Sequence, residues 1–70
     1  MAHVELMVAD AYSPDLLRFC AKNGIVATPN RDKKNSVLFY GEYNSLIKLI
    51  RGQFVLSEED YLFLIDSIEQ

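Results

Sequence analysis

The sequence predicts a small α+β domain, and three observations predict it. Val4, Leu6 and Val8 alternate with His3, Glu5 and Met7, the period-two pattern of a strand. Gly24 to Tyr40 reads as two short strands around a polar, basic turn. Apolar residues recur at helical spacing in three further stretches, each beside a start or stop signal.

Taken in order, residues 3–9 form the first strand, with a polar face that suits an edge or half-exposed position. Ser13-Pro14-Asp15 then starts a helix: serine caps, proline fits the first helical position, and aspartate suits the positive end of the dipole. Its expected core stripe is Leu16, Leu17, Cys20 and Ala21, with Phe19 off the stripe. Asn23-Gly24 ends it, because glycine takes a left-handed turn without steric cost.

Ile25 to Thr28 and Ser36 to Tyr40 are rich in β-formers. Pro29 stops the first of them, having no N–H for a ladder. Asn30 to Asn35 supplies turn chemistry. Both strands are apolar on both faces, with Val37 and Phe39 pointing one way and Leu38 and Tyr40 the other. A sheet with one wet face would alternate apolar and polar. The hairpin is therefore central with both faces covered, or its second face meets a partner.

Tyr43, Leu46, Ile47 and Ile50 define a second amphipathic helix, which Gly52 is expected to stop. Residues 53–56 are expected to be extended. Ser57 caps a third helix, with Asp60 placed like the acid of a capping box and Leu56 and Tyr61 at staple positions. Tyr61, Leu64, Ile65 and Ile68 make its core stripe; Phe63 falls on the outer face and Leu62 on the flank. The order is β-α-β-β-α-(β)-α in two layers, with the antiparallel hairpin 25–40 at its centre. If 53–56 is a strand, that order is ferredoxin-like with an added C-terminal helix.

Seventy residues, half of them hydrophobic, make one domain and argue against disorder. A single cysteine, Cys20, excludes an internal disulfide framework and fits a reducing, cytoplasmic setting. No signal peptide is evident, and the apolar runs are far shorter than a membrane span. Net charge is −3, but it is segmented. All seven bases lie in residues 16–51, while residues 52–70 carry Glu58, Glu59, Asp60, Asp66 and Glu69 and no base. The simplest expectation is that the acidic end folds back near the basic middle.

No catalytic constellation emerges. His3, the only histidine, has no partner at a useful spacing and is expected to be a plain surface residue. Cys20 lies on a core stripe, and Arg18 and Lys22 point away from it, so it reads as an inert buried thiol. Gly24, Gly41 and Gly52 are isolated and build no phosphate loop. The carboxylates 58–60 match a helix dipole better than an alternating calcium loop. No metal or cofactor is expected, and no stretch carries a family motif.

Two surfaces remain. Phe63, with Leu62, sits among Glu58, Glu59 and Asp66 on an acidic helix, and an aromatic flanked by charge makes an interface anchor. Arg31, Lys33 and Lys34 on the hairpin turn could contact phosphates. Against nucleic acid stand a sequence pI near 4.9 and the lack of an aromatic in residues 3–8 to join Phe39 and Tyr40 in a stacking platform. The expected function is a small, non-enzymatic protein-binding protein: a regulator, inhibitor or adaptor. Its partner would be a host enzyme or a second copy, and its size fits a protein encoded by a bacterium or its phage. A nucleic-acid-binding module using turn 30–35 is the alternative.

Overall fold

The computed structural model describes residues 1–8, 14–54 and 56–70. Expectations for residue 9, the lead-out Asp10-Ala11-Tyr12, the Ser13 cap and Val55 fall outside those residues. Strands β1 (Ala2–Met7), β2 (Val26–Pro29) and β3 (Ser36–Gly41) alternate with helices α1 (Pro14–Lys22), α2 (Tyr43–Gln53) and α3 (Glu58–Asp66) in the order β1-α1-β2-β3-α2-α3. The sheet order is β1-β3-β2, with β3 antiparallel to both neighbours. The molecule is thus a small α+β fold, a three-stranded antiparallel sheet with three helices. β3 is its central strand and β2 an edge.

The register explains which residues enter the core. Val4 pairs with Phe39 and Leu6 with Val37, and Ala27 faces Phe39 from the other side. These side chains share the sheet face that α1 and α2 cover, where Leu16, Cys20, Leu46, Leu49 and Ile50 are buried. The opposite set, His3, Glu5, Met7, Leu38, Tyr40, Val26 and Thr28, lies on a face that no helix covers among the described residues. Of the two alternatives the hairpin left open, the first, with both faces covered, is not the arrangement of the described residues.

Both helix stripes turn relative to expectation. In α1 the buried side runs through Leu16, Phe19, Cys20 and Asn23, while Leu17 and Ala21 are exposed. The spacing i, i+3, i+4, i+7 follows the helical repeat more closely than pairs of neighbours do. In α2, Leu49 is fully buried beside Leu46 and Ile50, whereas Tyr43 and Ile47 are only partly so. α2 also runs through Gly52 to Gln53, so Gly52 does not stop it. Residues 53, 54 and 56 form no strand: Gln53 is helical and Phe54 is the extended C-cap.

The local signals at other boundaries hold. Gly24 has φ +68°, and the Ile25 N–H donates to the Cys20 carbonyl at 2.8 Å. That is the six-to-one bond of a Schellman motif, closed by two buried residues. Asn35 also takes a positive φ, 63°, and the Asn30 side chain accepts from the Asp32 N–H, which shapes the hairpin turn. Ser57 caps α3 by accepting from the Asp60 N–H at 3.2 Å. Tyr61, Leu64 and Ile65 pack on the core, and Ile68 is buried.

Candidate functional site

The uncovered sheet face is built from three rows of residues. Met7 stands beside Ser36; Glu5 beside Leu38 and Thr28; His3 beside Tyr40 and Val26. Met7 and Val26 are exposed, and Leu38 and Tyr40 are half-buried. The face is therefore an apolar surface crossed by one acidic residue and closed at one end by stacked rings. The His3 and Tyr40 rings lie 5.6 Å apart at 30°, as expected of residues directly opposite on neighbouring strands.

Glu5 fastens the hairpin turn to this face. Its carboxylate accepts from the Ser36 hydroxyl and from Asn30 Nδ2 at 2.9 Å, and Lys33 Nζ lies 3.8 Å away. The bonds from Ser36 and Asn30, with the Lys33 charge added, hold the Glu5 carboxyl below the usual carboxylate range. Ser36 is buried, so its hydroxyl needs such a partner.

Beyond the outer edge of β1, the chain after α3 comes back to the sheet. The His3 N–H donates to the Glu69 carbonyl at 2.8 Å, and the Glu69 N–H donates to the His3 carbonyl at 2.9 Å. The side chains add a contact of 3.0 Å between His3 Nε2 and Glu69 Oε2. His3 is thus the fastening of the C-terminal segment, which corrects its reading as a plain surface residue. Between this fastening and α3 lies an open crevice of about 310 Å³, lined among others by Glu5, Leu38, Phe63, Leu64, Ser67 and Glu69.

α3 lines the crevice with Phe63 and Leu64 and carries an acidic, apolar stripe on its exposed side. Glu59, Leu62, Phe63 and Asp66 are spaced i, i+3, i+4, i+7, so they share one exposed stripe; Phe63 is 72% exposed and Leu62 56%. Glu58 lies off that stripe, to its side. The structure therefore brings together four of the five candidate partner-binding residues and joins Phe63 to the uncovered sheet face. Among the described residues no lysine or arginine forms an ion pair with residues 58–66; the salt bridges join His3 to Glu69, Arg18 to Asp15 and Lys33 to Glu5. α3 does pack against α2, where the Arg51 guanidinium lies 5.0 Å from the Tyr61 ring centre, but among the described residues no ion pair joins the acidic end to the basic middle.

The basic turn is partly spent. Lys33 is engaged by Glu5, which leaves Arg31 and Lys34 exposed beside a concavity of about 330 Å³ that also includes Val8 and Pro29. Cys20 is buried, and burial pushes its thiol up, away from reactivity. Among the described residues no group of three His, Cys, Asp or Glu side chains could hold a metal ion. Among the described residues no helix is long and apolar enough to cross a membrane.

The fold and this surface define a small α+β protein with one sheet face and an acidic helix stripe turned outward. Set against protein-family models, curated proteins and solved structures, the chain gives no match to any of them.

Proposed function

We propose that this is a non-enzymatic binding protein, a regulator, inhibitor or adaptor, whose working surface is the uncovered sheet face continued by the Phe63 stripe of α3. The observation that carries this reading is the shared crevice that Leu38 of the sheet and Phe63 of α3 both line. Apolar area presented next to unpaired carboxylates favours a protein surface that is itself apolar and basic. We also read the fold as ferredoxin-like, with its last strand reduced to the Glu69 bridge and α3 inserted before it.

The test is capture from nuclease-treated lysate with the wild-type chain and a Leu62→Ala/Phe63→Ala variant. A stoichiometric protein held by the first and lost by the second supports the reading. A protein held equally by both overturns it. A second reading has its own observation, the free cations Arg31 and Lys34 beside the turn concavity. It predicts salt-sensitive binding of nucleic acid that Arg31→Glu/Lys34→Glu abolishes.

A further inference from the structure

The direction of the backbone along β1 follows from two sets of bonds. Val8 donates its N–H to Asn35, on the β3 side. His3 exchanges both of its backbone bonds with Glu69, on the opposite side. In an antiparallel ladder this direction alternates residue by residue. Glu5 and Met7 therefore turn their N–H and C=O groups outward, as His3 does, and among the described residues no backbone group meets them. The Glu69 bridge begins a ladder on the outer edge of β1 that stops after one residue.

Edge strands are ordinarily protected against such pairing. β2 is protected in this way: it is four residues long and ends in Pro29. β1 has no proline, and the one charge in its middle, Glu5, is drawn toward the β3 side by Ser36, Asn30 and Lys33. The edge is left open beside a crevice lined by Phe63 and Leu64 and by the carboxylates Glu5 and Glu69, with no lysine or arginine in its lining.

We propose that the outer edge of β1 from Glu5 to Met7 takes an extended, basic segment of a partner protein as an added strand. The proposal rests on the protein-binding reading and names the kind of segment bound. Alternate side chains of an added strand fall on opposite faces. One set meets Leu64 on the helix side, and the other meets the open face, where Glu5 and Glu69 lie. Main-chain bonds supply affinity and the crevice supplies selectivity. A second copy of β1 fits this edge less well, because it would bring Glu5 and Glu69 against their own like.

The probe is a blocked hexapeptide of alternating lysine and valine, titrated into the full isotope-labelled chain while amide exchange is followed. The expected result is slowed exchange at the Glu5 and Met7 N–H groups, lost when proline replaces a central valine of the peptide or glutamate replaces lysine. Met7→Pro should abolish binding while the core amides keep their shifts, since that N–H makes no bond within the sheet. The proline peptide gives the same answer without altering the protein. Absence of binding at millimolar peptide overturns the proposal. Shifts at Val26, Leu38 and Tyr40 with Glu5 and Met7 unprotected also overturn it, while sparing the broader surface reading. Protection of Glu5 and Met7 that grows with protein concentration alone assigns the edge to a second copy and overturns it likewise.

Discussion

His3 and Glu69 are joined through backbone and side chain together: each donates an N–H to the other's carbonyl, and Nε2 and Oε2 stand 3.0 Å apart. The contact seats Ile68, the adjacent residue, in the core at 9% exposure. Ile68→Ala should therefore cost about 2–3 kcal/mol, within the range for buried isoleucine truncation. His3→Ala should cost less than about 1 kcal/mol, because its side-chain pair with Glu69 is solvent-accessible. Urea midpoints of the two variants measure both; equal midpoints would mean that the segment after α3 is not held by Ile68.

Leu49 and Phe63 should respond in opposite ways. Leu49 is fully buried and Phe63 is 72% exposed. Leu49→Ala should lower stability by about 2–5 kcal/mol, and Phe63→Ala should change it by no more than about 0.5 kcal/mol. Thermal or denaturant unfolding reads both, and a large loss for Phe63→Ala would place that ring in the core.

Ser57 accepts from the Asp60 N–H at the start of α3. Ser57→Ala should cost about 1 kcal/mol, the usual worth of an N-cap. An unchanged denaturation midpoint would mean that α3 begins elsewhere.

Acid should loosen the hairpin turn through Glu5. Its folded-state carboxyl is held below the ordinary value by Ser36, Asn30 and Lys33. A group lowered in this way adds stability above its unfolded value, and that stability is lost as pH falls through the folded value. Wild type should therefore lose stability more steeply than Glu5→Gln on acidification from neutral pH to below about 4.3. Parallel stability curves for the two proteins would show that the Glu5 bonds do not form.

Much of the fold was legible because local chemistry determined it. The turn at Gly24, the cap at Ser57 and the alternation of residues 3–8 each act within a few positions of chain. The placement of Phe63 followed from helical spacing alone. The misjudged helix faces had a different cause: Leu16-Leu17 and Leu49-Ile50 offer adjacent apolar residues, and only the neighbouring elements decide that Leu16 alone of the first pair, but both of the second, turn inward. In α2 the helix runs one residue past Gly52, which is exposed, before Phe54 ends it in an extended conformation, so the glycine marks that end to within a residue. The site was legible only in part. Two apolar faces on the hairpin left open whether both would be covered or one would meet a partner, and the pairing of residue 3 with residue 69 is long-range, so no local pattern announces it. The grip of Glu5 on Ser36, Asn30 and Lys33 depends likewise on strand order, which places β1 beside β3 and not beside β2.

The bridge between His3 and Glu69 also makes the chain nearly a closed ring. A short flexible linker between residues 70 and 1 would join ends that already lie side by side, and the exposed turn at 31–34 offers a place to reopen it. The rearranged chain would run β3-α2-α3-β1-α1-β2 with every strand pairing kept, while the link that now joins β2 to β3 would become a pair of free termini.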